Sequence, residues 1–128
     1  MQIKIQTIKS QNAKNIVVFS TEYGTAKALW NGDAPKNDKE YDVEVTIHET
    51  LEWGKDIVMV GEKRYVIGMI CGVFYLIGYL ESVDEDGGFA IRFGDSIILV
   101  SGCGNPFALG TFVKVEAHDV ELYDTHYI

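Results

Sequence analysis

Eight consecutive residues, 41–48, alternate without interruption between apolar and polar side chains. The apolar set is Tyr41, Val43, Val45 and Ile47, and the polar set is Asp42, Glu44, Thr46 and His48. Successive side chains of a β-strand point to opposite faces, so this pattern predicts a strand with one buried face and one wet face. The predicted wet face carries two carboxylates, those of Asp42 and Glu44.

The same alternation recurs along most of the chain, between turns rich in Gly and Asp. It predicts an all-β, single-domain barrel or sandwich of about eight to eleven short, mostly antiparallel strands. The segment Asp84-Glu85-Asp86-Gly87-Gly88 predicts a hairpin, because its glycines tolerate positive φ. At most one or two short helical turns are expected, at residues 105–110 and 50–54, and the 47% apolar content suffices for one core.

The charged, aperiodic segment 31–40 divides the chain into an N-terminal three-strand meander, residues 1–30, and a main barrel or sandwich, residues 41–128. Forty residues are about the minimum for independent folding, so we expect one domain covering residues 1–128. From Tyr41 onward, the order of a long strand at 72–83, a hairpin, a short turn and a closing strand resembles a small Greek-key barrel of the oligonucleotide/oligosaccharide-binding kind. That resemblance implies a shape and no function.

The charge of the chain is uneven, with a net +2 over residues 1–40 and a net −10 over residues 41–128. An acidic field of this size repels phosphate backbones and anionic membrane surfaces, so neither nucleic acid nor membrane is an expected partner. The most apolar stretch, Met69 to Leu80, has 12 residues, against about 20 for a spanning helix. The partner that complements the net negative charge of residues 41–128 is a basic protein, which we expect as the binding partner.

Residues with catalytic or ligating chemistry do not form a recognisable motif. Cys71 and Cys103 show no CxxC spacing, and His48, His118 and His126 lie too far from one another and from cysteine for a zinc signature. The acids near 84–95 lack the glycine that a calcium loop requires. We therefore expect no catalytic residue, metal or cofactor, and, without a recognisable signal peptide, a cytoplasmic location.

Aromatic and acidic side chains are interleaved on both sides of the charged segment, and they are the candidate binding residues. Tyr and Trp are favoured interface anchors, while carboxylates suit a cationic surface. A core position for both tryptophans is the competing interpretation, since Trp is highly buried on average. The candidates are Tyr23, Trp30, Asp42, Glu44, Glu52 and Trp53.

Three functional hypotheses follow from these observations. The first is a non-enzymatic acidic domain that binds a basic protein, by analogy of charge and size with bacterial immunity proteins and nuclease inhibitors. The second is a barrel that binds a small molecule or sugar in its mouth, with Trp30 or Trp53 as a stacking platform. The third is a subunit of a homo-oligomer, in which a neighbour covers the apolar strand at 72–80.

Overall fold

Two β-sheets contain all the regular secondary structure of residues 1–125, the part of the chain that a computed structural model describes. No helix in this part is long and apolar enough to span a membrane. The strands are β1 (Gln2–Gln11), β2 (Lys14–Thr21), β3 (Gly24–Trp30), β4 (Glu40–Ile47), β5 (Thr50–Glu52), β6 (Ile57–Met59), β7 (Val66–Ile70), β8 (Val73–Val83), β9 (Gly88–Phe93), β10 (Ser96–Cys103), β11 (Phe112–Ala117) and β12 (Val120–Asp124).

The first sheet is a closed barrel with the strand order β1-β2-β3-β12-β4. Three of its five strands, β1, β2 and β3, form an antiparallel meander. β12 runs parallel to β3 and antiparallel to β4, and β4 closes the wall by pairing with the start of β1. The first three strands and the last one therefore belong to the same barrel.

The second sheet has seven strands, in the order β5-β10-β9-β8-β11-β6, with β7 also paired to β8. β11 pairs with one edge of β8, so β7 and β9 follow one another along the opposite edge. A parallel bridge between Trp53 and Ile57 brings the two ends of the sheet, β5 and β6, together. The sheet is thus nearly closed.

The predicted fold class is confirmed, whereas the expected grouping of strands differs. Residues 41–128 do not form a barrel by themselves, because β4 and β12 join β1, β2 and β3. Residues 105–108 are irregular and end in a turn around Ala108, so the expected helical turn is absent there. Thr50–Glu52 is strand β5, since it finds a parallel partner in Ser101–Cys103.

The predicted alternation of β4 is confirmed. Val43, Val45 and Ile47 are buried in the core, while Asp42 and Glu44 are exposed. Tyr41 is half-buried against Trp30, with ring centroids 5.0 Å apart. Thr46 is also half-buried, and His48 is exposed just beyond the end of the strand. The buried face of β4 therefore contributes directly to the barrel interior.

The predicted hairpin at Asp84–Gly88 is also confirmed. It connects β8 and β9, and the backbone N–H of Asp84 donates to the carbonyl of Gly88 at 2.7 Å. Gly87 has a φ of 96°, the left-handed conformation that glycine adopts without a steric cost. The charged segment 31–39 is a largely exposed loop, anchored by buried Pro35.

Candidate acidic binding face

A cleft of about 450 Å³ opens where the β2–β3 turn, the start of β1, β4 and the β9–β10 turn meet. We call it the Tyr23 cleft. Three carboxylates, from three separate elements, surround it, and none of its lining residues is a lysine or an arginine. The cleft is lined by Met1, Gln2, Thr21, Glu22, Tyr23, Asp42, Phe93, Asp95 and Ser96.

Tyr23 is held in place by its backbone and by its ring. Its N–H donates to Thr21 Oγ1 at 2.9 Å, and its carbonyl accepts from the N–H of Ile67 at 3.1 Å. The ring packs edge-on against Phe93 and Tyr65, with centroid separations of 5.1 and 5.5 Å. The cleft therefore presents an aromatic ring whose position is set before any partner arrives.

The electrostatics of the cleft act on the phenol of Tyr23. Burial raises the pKa of Tyr23, and its hydrogen bond with Glu22 and the negative charges of Glu22 and Asp95 raise it further. Burial disfavours a cation as well as a tyrosinate, whereas the negative charges of Glu22 and Asp95 disfavour the tyrosinate and favour a cation at the same place. The cleft is therefore suited to a basic side chain.

A second groove, of about 270 Å³, adjoins the Tyr23 cleft and lies between β4 and β10. We call it the β4–β10 groove. The two cavities share Met1, Asp42 and Ser96, and the groove extends the acidic lining to Glu44. The Met1 amino group donates to Asp42 Oδ1 at 2.9 Å and to the Val43 carbonyl at 2.8 Å.

Three of the six predicted site residues, Tyr23, Asp42 and Glu44, meet on this face. Glu52 does not, since it pairs with Cys103 at the far end of β10, whereas Ser96 at the near end lines the cleft. Seven positions of extended strand correspond to a separation of about 23 Å. Glu52 thus lies in the second sheet, like Ser96, but outside the candidate site.

The two tryptophans lie in the core, with 6% of Trp30 and 8% of Trp53 exposed. The Trp30 indole N–H donates to the carbonyl of Asp33 at 2.8 Å. Trp53 packs against Phe89 and Phe107, with ring centroids 4.7 and 5.3 Å away. Neither ring is available as an exposed anchor or as a stacking platform.

The sequence analysis did not select Glu22, Asp95 or Ile97 as binding residues, although Glu22 is one of the acids interleaved with the aromatic residues, and all three line these cavities. Glu22 and Asp95 are turn residues, so no periodicity marks them, although Asp95 belongs to a recognisable Gly-Asp hairpin turn. Ile97 lies on the outward face of β10, where 40% of it and 71% of Leu99 are exposed. The alternation of exposed and buried residues within β10 could have identified Ile97 and Leu99 as outward-facing.

A separate polar cluster lies on the outer wall of the barrel, around Glu121 of β12. Its carboxylate is 2.8 Å from His48 Nε2 and accepts from the Asn31 amide at 3.1 Å and the Tyr123 hydroxyl at 3.0 Å. Burial raises the pKa of Glu121, but the hydrogen bonds from His48, Asn31 and Tyr123 outweigh it and the pKa is lowered overall. The adjoining cavity of about 400 Å³ is lined by no Ser, Thr or Cys, so this cluster lacks a nucleophile.

Within residues 1–125, no three His, Cys, Asp or Glu side chains are arranged to hold a metal ion. Both Cys71 and Cys103 are free and exposed. His118 Nδ1 lies 3.8 Å from Glu49 Oε2, and His126 lies outside the described residues. No family model, curated protein or solved structure matches the chain.

Proposed function

We propose that this protein is a non-enzymatic acidic binding domain that engages a basic protein partner through the Tyr23 cleft and the β4–β10 groove. We call the two together the acidic face. The observation that carries the proposal is the convergence of Glu22, Asp42 and Asp95 around the immobilised ring of Tyr23. The Met1 amino group pairs with Asp42 at 2.9 Å, and no lysine or arginine among the described lining residues neutralises Glu22 or Asp95.

In the acidic face, the carboxylates and Tyr23 contribute to binding in different ways. Carboxylates at the rim attract a basic surface and raise the association rate, and this effect weakens as salt increases. Tyr23 supplies a rigid aromatic surface against which the stem of a lysine or arginine can pack. In this proposal the partner is a basic protein, comparable to the nucleases that bacterial immunity proteins and nuclease inhibitors bind. Two free, exposed thiols support a reducing, cytoplasmic setting.

A peptide selection tests the proposal with a random library in place of the natural partner. Phage-displayed 12-residue peptides are panned against the wild-type domain, with the Asp42→Lys, Glu44→Lys, Asp95→Lys variant as the counter-selection. We expect the enriched peptides to be rich in Lys and Arg, and their association rate with the wild-type domain to fall as salt is raised.

The matched control is Glu52→Lys, which reverses an exposed acidic residue about 23 Å from the cleft. It should leave the association rate of the enriched peptides near the wild-type value. Enrichment of neutral or acidic sequences, or equal loss of binding in Glu52→Lys and the triple variant, would contradict the proposed acidic face.

A further inference from the structure

A cavity of about 210 Å³ lies between the two sheets, and we call it the inter-sheet cavity. β3 pairs with β12 only at Leu29 and Trp30. The start of β3 is held at the second sheet instead, since the N–H of Ile67 in β7 donates to the carbonyl of Tyr23, just before β3, at 3.1 Å. Strands β2, β3 and β12 of the barrel and β7, β8 and β11 of the second sheet all contribute lining residues.

The lining of the inter-sheet cavity is largely apolar. Seven of its ten residues carry apolar side chains, and three of these, from β2, β3 and β7, are half-buried. The other four are buried, namely Ala28, Phe74, Ala117 and Val120. A concave, mostly apolar site with a few polar groups is the usual form of a small-molecule site.

The uncompensated charge at the inter-sheet cavity is positive. Exposed Lys27 lines it and makes no hydrogen bond or ion pair within residues 1–125, and no carboxylate is among its lining residues. The charge of His118, which also lines the cavity, is offset by Glu49, whose Oε2 is 3.8 Å from His118 Nδ1. Lys9 adds a second positive charge nearby, because it lies directly opposite the lining residue Ile16 on the same face.

The size and charge of the inter-sheet cavity limit the ligand that fits it. Sites for drug-sized molecules have volumes of about 300 Å³ or more, so this ligand is smaller. Lys27 is the only lining cation that no described carboxylate pairs with, which matches a singly charged group. A phosphate carries a charge of about −1.5 to −2 and fits less well.

We infer that the inter-sheet cavity binds a small organic monocarboxylate with an apolar body. The body packs on Phe74, Ala117 and Val120, and the carboxylate accepts a charge-assisted hydrogen bond from the Lys27 ammonium group. This site is separate from the acidic face, because the inter-sheet cavity shares no lining residue with the Tyr23 cleft or the β4–β10 groove. The inference therefore goes beyond the proposed function and does not depend on it.

A titration followed by NMR tests the inference with 3-phenylpropionate as the probe and neutral 3-phenylpropionamide as its matched analogue. The acid should shift the amide signals of Ala28, Ala117 and Val120, which line the inter-sheet cavity. Its Kd should be about tenfold lower than that of the amide, since only the acid is charged where it meets Lys27.

Lys27→Met removes the charge and keeps an unbranched side chain at an exposed position, so the variant should fold. It should raise the Kd of 3-phenylpropionate about tenfold and leave that of the amide unchanged. Lys55→Met is the control, because Lys55 is exposed in the turn between β5 and β6 and does not line the inter-sheet cavity. It should leave both Kd values unchanged.

Three results would overturn the inference. The first is the absence of shifts at Ala28, Ala117 and Val120 with 3-phenylpropionate at 10 mM. The second is equal affinity for the acid and the amide, which would mean that the cavity selects for apolar character alone. The third is an equal loss of affinity in Lys27→Met and Lys55→Met, which would indicate a general effect of net charge. None of these results bears on the acidic face, which the selection of basic peptides tests separately.

Discussion

The ring of Tyr23 lies so close to the backbone of Gly94 that a Cβ added to Gly94 would be 2.7 Å from Tyr23 Cε2. Gly94 also has a φ of 61°. Gly94→Ala should therefore displace the ring from Phe93 and lower the free energy of unfolding by about 1 to 3 kcal/mol, as overpacking does. Urea unfolding measures the change.

Gly61→Ala is the control for that substitution, because no atom lies within 4 Å of the Cβ it would add. Its free energy of unfolding should stay within about 0.5 kcal/mol of wild type. Equal values for the two variants would mean that the contact between Tyr23 and Gly94 does not hold the ring in place.

Adjacent positions on β4 should respond in opposite ways to a charged substitution. Val45→Asp places a carboxylate in the core and should unfold the protein or cost about 3 kcal/mol or more. Glu44→Lys changes an exposed residue and should leave the thermal midpoint nearly unchanged. Circular dichroism melts compare the two variants, and a large loss in Glu44→Lys would refute the assignment of faces.

Trp53→Ala should lower the free energy of unfolding by about 3 to 5 kcal/mol, since it leaves a cavity beside Phe89 and Phe107. The dissociation rate of a basic peptide from the folded variant should not change, because Trp53 lies at the opposite end of β10 from the cleft. Denaturant unfolding and stopped-flow binding measure the two quantities. Faster dissociation at unchanged stability would restore Trp53 as a binding anchor.

Glu121 should contribute to the pH dependence of stability. A carboxyl group whose pKa is lower in the folded state stabilises the fold above its unfolded pKa of about 4.3, and this contribution is lost as pH falls through the folded pKa. Glu121→Gln should therefore be less stable at pH 7 and show a shallower loss of stability on acidification. Urea unfolding from pH 7 down to pH 3 measures this, with Glu85→Gln, at an exposed hairpin tip, as the control.

Ala13, in the β1–β2 turn, has a strained backbone conformation that a substitution can relieve. Asn12 and Ala13 have φ values of 52° and 62°, and left-handed geometry is unfavourable for alanine. Ala13→Gly creates the Asn-Gly pair preferred in such turns and should stabilise the protein by about 1 kcal/mol. Ala13→Val should destabilise it, and thermal melting distinguishes the two directions.

Local patterns in the sequence predicted local structure well. The alternation of β4 and the glycine of the Asp84–Gly88 hairpin depend only on neighbouring residues, and both predictions are confirmed. The pairing of β12 with β3 and β4 joins residues far apart in the chain, and a period of two does not encode such partners. For the same reason the sequence brought Asp42 and Glu44 together but could not place Asp95 beside Tyr23.

Because β12 lies between β3 and β4, the closed barrel can be completed only late in synthesis. Residues 50–117 form the second sheet and emerge from the ribosome as one continuous stretch, whereas the wall of the closed barrel remains incomplete until Val120–Asp124 has been made. Until then, β3 and β4 lack β12, the strand that lies between them and pairs with both in the finished protein. Such a delay favours slow final closure and leaves unpaired strand edges in the nascent chain open to wrong partners.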